Sequence, residues 1–292
     1  MSFNFKAIKN EILSPGNIFW KKRSGDLVLI TQKGDVINHD LIQKLQDAHH
    51  DIVMNDQIDP HQRDKLNSIY EKYCSELLMR DKIGWRDQLI ELMRVDFIVN
   101  QNSQFEFNQL AWDFFSTFSN DDIASFIKKD SELFKRNLTI ASNYAFTAFV
   151  LGYYEPKFLS NLFTKTLSNL MDLGNSSNVL SLKEKIEYLR MQDSFHEDDY
   201  ESMKEIANED LLSSTVLFER YDGSGLRKIN AREMTDLEVV LVALNRKYGF
   251  EFSSSENVFL EISRDNFNCG PRLLKTLQKL LAKKDKEIVI AA

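Results

Sequence analysis

The side chains best suited to binding a metal ion surround one short glycine-rich turn. Residues 218–225 (FERYDGSG) place the carboxylates of Glu219 and Asp222 beside an Asp-Gly-Ser-Gly turn signal. Oxygen ligands of this kind suit calcium. An EF-hand loop in the matching register would run from Arg220 to Ala231, and neither end carries the acid that such a loop requires. The spacing therefore argues against a calcium site.

The histidines offer a second metal hypothesis, because four of the five lie near the N-terminus. These four are His39, His49, His50 and His61. Their spacing matches no structural zinc site, and no cysteine lies nearby. We therefore interpret them as exposed residues of loops or helix ends.

The turn at 218–225 resembles the H-H-E-R-W-D-G-S-G-Y-P segment of the HD-GYP proteins, the bacterial cyclic-di-GMP phosphodiesterases. Three other segments resemble further motifs of that family at fitting distances. They are 170–175 (LMDLGN) for L-H-D-I-G-K, 197–206 (EDDYESMKEI) for D-E-E-W-x-x-M-K-x-H, and 237–248 (LEVVLVALNRKY) for A-R-I-V-A-V-A-D-x-Y-D. The early histidine of the family's domain maps near Asn137. The resemblance covers roughly residues 130–285.

What the resemblance implies is a metal site that has lost its ligands. In the family, histidines and aspartates hold two or three iron or manganese ions, which activate water and neutralise the phosphate. The positions of lost ligands in this chain are Met171, Ile206, Leu217 and Phe218, and Asn245 replaces an aspartate. Of the strong ligands only Asp172 remains. We expect no bound metal, no cofactor and no catalytic residue.

The replacements are mostly apolar, so we expect the former active site to have become hydrophobic core. The polar remnants of this pocket are Asp172, Asn175, Glu219, Arg220, Asp222 and Asn245. A carboxylate left beside an apolar cluster needs a partner. We therefore expect Asp172 to pair with Arg220 or with a backbone N–H.

The composition favours helices, since 292 residues include only four prolines and ten glycines. We expect a mainly α fold, in which an all-helical HD-GYP-like domain follows a small α+β N-terminal module. The expected boundaries are 1–58 for the module, 59–128 for a helical connector and 129–292 for the HD-GYP-like domain.

Local patterns predict the elements of these parts. The module should contain strands at 17–21, 26–31 and 51–54 with a hairpin turn at 22–25, and a helix at 40–46. A helix after Pro60 is predicted to bury Leu66, Ile69, Tyr70, Tyr73 and Leu77. Further helices are predicted from Trp85 to Phe97, from Pro156 to Met171, at 182–191, twice within 197–218, at 236–248 and at 271–281. An aromatic segment at 105–118 is predicted to be core, or an interface between domains or protomers.

The chain has a formal net charge of −7, which argues against nucleic acid as its main partner. Two distant cysteines, Cys74 and Cys269, form no disulfide framework, and the N-terminus has no long apolar segment. We therefore expect a cytoplasmic protein that binds no membrane. The expected partners are proteins, a cyclic dinucleotide, or a second copy of the chain in a homodimer.

These observations favour a catalytically inactive HD-GYP-like protein that binds or scaffolds other components in bacterial signalling of the cyclic-di-GMP type. Gly225-Leu226-Arg227 stands where the family has its glycine-tyrosine-proline triplet, which weakens the expectation of nucleotide binding. One alternative is a weak phosphodiesterase that uses Asp172, Glu219, Asp222 and Asn245 with magnesium. Another is a protein-interaction adaptor that binds no nucleotide.

Overall fold

The computed structural model describes residues 8, 11–55, 59–93, 104–118, 120–129, 131–175, 230, 232–250 and 270–281. Its strands are β1 (Asn17–Lys21), β2 (Leu27–Thr31) and β3 (Asp51–Asn55). Its helices are α1 (His39–Asp47), α2 (Pro60–Ser75), α3 (Met79–Met93), α4 (Gln104–Phe115), α5 (Asn120–Lys129), α6 (Ser131–Leu151), α7 (Pro156–Asn175), α8 (Asp236–Phe250) and α9 (Pro271–Leu281). The predicted fold class, mainly α after a small α+β unit, is confirmed.

The N-terminal unit is an antiparallel sheet of strand order β2-β1-β3 with α1 packed against it. The hairpin between β1 and β2 turns at Gly25, whose φ of 94° favours glycine. Ile18, Ile42 and Ile52 meet in a small core of their own. The three strands, the hairpin turn and the helix lie where the alternating apolar pattern and the turn residues predict them.

This unit also contacts the helices. Leu13, in the segment before β1, is fully buried in the main helical core. Leu13 forms a β-bridge with Val36, and Val36 packs against the same core. Lys135 of α6 forms an ion pair with Asp35 at 2.7 Å. The predicted domain boundaries at 58 and 128 remain predictions, while one apolar cluster runs across both positions.

Several helices begin at local signals that can be read from the sequence. The Asp59 side chain accepts a hydrogen bond from the His61 N–H, and Pro60 occupies the first helical position of α2. At the start of α8, Thr235 and Glu238 form a reciprocal capping box, with the Thr235 N–H donating to Glu238 at 2.7 Å. The Asn38 side chain caps α1.

Aromatic side chains form the centre of the helical core. Tyr70 stacks on Phe114 with ring centroids 4.4 Å apart, and Phe115 and Phe149 lie next to them. Trp112 meets Phe163 edge-on at 5.9 Å. The described aromatic residues of 107–115 are buried within a single chain, which confirms the core interpretation of this segment. They therefore offer little surface to a second copy.

One predicted contact is wrong. Leu77 was expected to continue the apolar face of α2, but its side chain is 95% exposed. The helix ends at Ser75, since Glu76 adopts an extended conformation (ψ 128°) and its carboxylate accepts the N–H groups of Leu77 and Leu78. The hydrogen bonds of the Glu76 carboxylate thus end α2 before the helix reaches Leu77, the last residue of the apolar pattern.

The helices after Pro60, from Pro156, over 236–248 and over 271–281 are confirmed, and α3 confirms the helix around Trp85 as far as Met93. The predicted helices at 182–191 and within 197–218 lie outside the described residues, as does Phe97. In the part of the chain that the structure describes, no helix is long and apolar enough to cross a bilayer.

Candidate functional site: the α6–α7 contact

The candidate site lies on α6, the central helix of the fold. Most residues from 137 to 149 of α6 are fully buried, because α4, α5, α7, α8 and α9 all pack around it. The chain reverses at Gly152, whose φ of 96° favours glycine, and α7 begins at Pro156. The tight connection makes α6 and α7 an antiparallel pair, so the start of α6 lies beside the end of α7.

Met171, at the position of a lost ligand, and Asn137, near which the family's early histidine maps, meet at that end of the pair. The Asn137 Nδ2 atom donates a hydrogen bond to the Met171 Sδ atom at 3.4 Å, and both side chains are fully buried. A thioether is a weak acceptor. The Asn137 Oδ1 atom has no hydrogen-bond partner among the described residues. The contact thus joins two groups from distant motifs through one weak bond.

A third such position, Asn245, lies on α8, which packs along α6. The first residue of α8, Asp236, lies close to Tyr153 at the far end of α6, and Glu238 lies near Tyr144. α8 therefore runs antiparallel to α6, and its later turns approach the Asn137 end. Asn245 follows Glu238 by two helical turns, so the two residues share one face of α8. Asn245 is half-buried.

The described groups at this place are poor ligands for a catalytic metal. Iron and manganese in hydrolytic sites take imidazole and carboxylate ligands, whereas a neutral amide and a thioether add no charge and little affinity. Across the described ranges, no cluster of three or more His, Cys, Asp or Glu side chains could hold a metal ion. The contact places the Asn137 amide in a mostly apolar interior.

The other predicted site residues divide into two groups. Asp172 and Asn175 lie in the last turns of α7, with side chains outside the described part. Ile206, Leu217, Phe218, Glu219, Arg220 and Asp222 lie wholly outside the described residues. The convergence of Met171 with Ile206, Leu217 and Phe218 and the partner of Asp172 therefore remain predictions.

A charged cluster beside this region has no counterpart in the sequence analysis. Arg63 of α2 binds both carboxylate oxygens of Glu11 at 2.9 Å and those of Asp113 at 2.7 and 2.8 Å. Burial alone would lower the pKa of Arg63, but hydrogen bonds to Asp113 and Glu11 raise it above its usual value. Gln109 also reaches Glu11, at 3.3 Å. The cluster fastens the N-terminal segment to α2 and α4.

Two more polar groups of α6 have shifted pKa values. Burial opposes the charge of Lys135, but hydrogen bonds to Asp35 and Glu132 raise the pKa of this lysine. Burial and then the nearby charge of Glu238 raise the pKa of the Tyr144 phenol well above its usual value. The capping box Thr235-x-x-Glu238 was the sequence signal that could have located Glu238; no local pattern marks Arg63, whose partners lie about 50 residues away.

Each of the four N-terminal histidines has its own surroundings in the structure. His39 begins α1, and its Nε2 atom lies 2.8 Å from the Glu11 carbonyl oxygen. His49 has a positive φ of 57°, and the ring of His50 packs against Trp20 with centroids 5.0 Å apart. His61 lies in the first turn of α2. His49, His50 and His61 are exposed, as predicted, whereas His39 is half-buried because it packs beside the segment before β1.

No family model matches the chain, and no curated protein matches its sequence significantly. Among solved structures, the chain is similar to Bd1817, an HDG"Y"P protein from Bdellovibrio bacteriovorus. The two chains are 18% identical, and the match covers 92% of this chain and 94% of the other with a TM-score of 0.34.

Proposed function

We propose that this protein is a catalytically inactive HD-GYP-like protein that serves as a binding or scaffolding component in bacterial signalling of the cyclic-di-GMP type. The observation that carries the proposal is the contact between Asn137 and Met171. The motif resemblance gives Met171 as the position of a lost ligand and maps the family's early histidine near Asn137. They are 34 residues apart in the chain, yet their side-chain ends touch.

The contact supports the motif alignment because metal ligands must converge. Two nitrogen ligands about 2.0–2.1 Å from one tetrahedral metal are roughly 3.3 Å apart. The Asn137–Met171 separation of 3.4 Å is close to that spacing, which supports the proposal that the two side chains stand at positions of lost ligands. The Asn137 Oδ1 atom has no hydrogen-bond partner among the described residues, and a buried amide oxygen of this kind is unfavourable unless water or another group bonds it.

The nature of the two groups supports the loss of catalysis. Water activation at a metal needs ligands that keep the ion bound and leave open coordination positions. An amide and a thioether cannot replace two imidazoles in that task. A weak magnesium-dependent phosphodiesterase would have to depend on Asp172, Glu219, Asp222 and Asn245. Only the last of these has a described side chain, and it is a neutral amide.

The first experiment measures metal content and turnover on the full-length protein. Elemental analysis after purification with added iron, manganese or magnesium is expected to give far less than one metal ion per chain. Cyclic-di-GMP hydrolysis, followed by chromatography of the products, is expected to equal the no-protein control. An HD-GYP enzyme with an intact ligand set serves as the positive control. Stoichiometric metal or turnover would defeat the proposal in favour of the weak phosphodiesterase.

The second experiment separates a nucleotide receptor from a plain adaptor. Calorimetric titration of cyclic-di-GMP into the metal-free protein should release heat with saturable binding if the chain retains a nucleotide site. GMP at the same concentration is the matched control for nonspecific phosphate binding. Heat for cyclic-di-GMP alone supports the signalling role, whereas no heat for either ligand supports the adaptor that binds no nucleotide.

A further inference from the structure

Among the strands that the structure describes, β2 lies at an edge of the N-terminal sheet, and it carries that sheet's most exposed apolar side chains. Leu27, Val28 and Leu29 are 46%, 36% and 50% exposed. Proteins usually protect an edge strand with lysine, proline or another charged residue, because its free N–H and C=O groups can pair with another strand. Residues 27–29 contain none of these protective residues.

The backbone of this strand presents hydrogen-bonding groups outward at two residues. The Lys22 N–H donates to the Asp26 carbonyl at 2.8 Å, which makes those two residues a hydrogen-bonded pair. Hydrogen-bonded and non-hydrogen-bonded pairs alternate along an antiparallel ladder. The pairs of β1 with Leu27 and Leu29 are therefore non-hydrogen-bonded, and these two leucines direct their N–H and C=O groups away from β1.

A β-bulge limits the regular part of this edge. The register shifts between Ile18 and Phe19, so that Ile30 has no direct partner on β1. The bulge ends the regular edge after Leu29. What remains for pairing is Leu27-Val28-Leu29, a sequence that reads the same in both directions.

We propose that the protein forms a two-fold symmetric dimer in which β2 pairs antiparallel with β2 of a second copy, with the axis at Val28. Each Leu27 then faces Leu29 of the other copy in a hydrogen-bonded pair, and the two Val28 residues face each other. The outward backbone groups of both leucines are satisfied, and four leucine side chains meet on one sheet face. A two-fold contact requires such a self-complementary surface.

Self-pairing of two copies suits the β2 edge of the sheet better than the β3 edge. β3 also lies at an edge, but it begins with Asp51, ends with Asn55, and buries Ile52. Its sequence, Asp-Ile-Val-Met-Asn, is not symmetric, and a self-pairing would bring unlike side chains together. The dimer would thus join two three-stranded sheets through β2 into one sheet, independently of the proposed function of the helical part.

The first test is sedimentation velocity of the full chain over a range of concentrations. We expect a concentration-dependent dimer of the wild-type protein. Leu29→Lys should weaken dimerisation by about tenfold or more, since it places an ammonium group against an apolar neighbour across the strand pair. Leu41→Lys on α1 is the matched control, because Leu41 has a similar exposure of 40%. That variant should dimerise like the wild type.

The second test determines the register by oxidative cross-linking in a Cys74→Ser, Cys269→Ser background. The Val28→Cys variant should form a covalent dimer, because directly opposed residues of a non-hydrogen-bonded pair have Cα atoms about 4.5 Å apart. Leu29→Cys alone should cross-link poorly, since two such residues would be roughly 8 Å apart. A mixture of the Leu27→Cys and Leu29→Cys proteins should form the mixed disulfide.

Each contrary result overturns the proposal. A protein that stays monomeric at every concentration has no such dimer. A dimer that is unaffected by Leu29→Lys and does not cross-link through Val28→Cys has its interface elsewhere. Far-ultraviolet circular dichroism and thermal unfolding of each variant show whether the monomer still folds, so that loss of dimer is not confused with loss of structure.

Discussion

Asn137 and Met171 are hydrogen-bonded to each other in the interior of the fold, with 3.4 Å between the amide nitrogen and the thioether sulfur. One lies near the start of α6 and the other near the end of α7. Neither group gains much from the contact, because sulfur accepts weakly and the amide oxygen finds no partner among the described residues. The weakness of this contact supports the proposal that the two positions are those of lost metal ligands.

Histidines at these two positions should create a metal site. In Asn137→His/Met171→His, two imidazoles would approach at a distance suited to one zinc ion. Free zinc at about 100 times the Kd of the folded state adds roughly 2.7 kcal/mol, which corresponds to a rise in Tm of about 4 °C for a chain of this length. The measurement is thermal unfolding with and without zinc.

The single variants are the controls for this prediction. Each has only one new imidazole and should show little zinc-dependent change in Tm, so the effect of the pair should exceed the sum of the two. Chelator should reverse it. If the double variant responds to zinc no more than Asn137→His alone, the two positions do not cooperate as ligands and the inference of a former metal site fails.

The sequence located the elements whose signals are local. The N-terminal hairpin follows from apolar runs separated by a glycine turn, and α2, α7 and α9 each start at a proline that predicts their first residue. The error at Leu77 shows the limit of periodicity. The interval of three and four residues continues to that position, but a carboxylate cap one residue earlier turns the chain away.

The candidate site was predictable only in part. Motif spacing drew attention to Met171, Asn245 and the region of Asn137, and the structure shows that Met171 contacts Asn137. Their role as positions of former metal ligands stays a prediction. The ion-pair cluster of Arg63 was not predictable, since its members come from separate segments whose proximity depends on the packing of α2 against α4 and the N-terminal segment. The roles predicted for Asp172 and for residues 217–222 stay predictions, since the Asp172 side chain and residues 217–222 lie outside the described part.

Removing Arg63 should destabilise the protein more than removing any other single charge of its cluster. The three side chains are only 13–21% exposed, so the change Arg63→Met leaves two carboxylates close together with no cation between them. We expect a loss of about 2–4 kcal/mol in the free energy of unfolding, a value reduced from that of a fully buried pair because water still reaches the cluster. Urea unfolding measures it.

The geometry of the cluster can be tested separately from its charge. Arg63→Lys keeps the positive charge but cannot bind both carboxylates through paired N–H groups, so its stability should lie between wild type and Arg63→Met. Arg23→Met, at an exposed arginine of the β1–β2 turn, is the control and should change stability by less than about 0.5 kcal/mol. Equal stability of Arg63→Lys and wild type would show that charge alone matters.

Two leucines of one apolar period, one within α2 and one just after its end, should differ in how much their removal destabilises the protein. Leu66 is 1% exposed and Leu77 is 95% exposed, although both belong to the same apolar period. Leu66→Ala should cost about 2–5 kcal/mol, and Leu77→Ala should change stability by less than about 0.5 kcal/mol. Chemical denaturation of the two variants gives both values. A cost above about 1 kcal/mol for Leu77→Ala would place that side chain in a contact.

Asp236 should make the stability depend on pH in an unusual direction for a carboxylate. Burial raises the pKa of Asp236, and the nearby charge of Arg272 only partly opposes this. The crowding is visible at Gly270, where an added Cβ would lie 2.7 Å from the Asp236 Oδ1 atom. Since the folded state favours the protonated acid, its contribution to stability is fully present below the ordinary aspartate pKa of about 3.9 and is lost as the pH rises through the folded-state pKa.

The change Asp236→Asn removes this ionisable group while keeping its shape. The difference in the free energy of unfolding between the variant and wild type should therefore favour the variant more at pH 7 than at pH 4. At pH 4 the wild-type carboxyl is closer to its neutral form. The free energies of unfolding in urea at both pH values provide the comparison, and Asp51→Asn, at an exposed aspartate that begins β3, controls for the general effect of removing a carboxylate. A stability difference between Asp236→Asn and wild type that is the same at both pH values, or larger at pH 4, would mean that Arg272 outweighs burial at the start of α8.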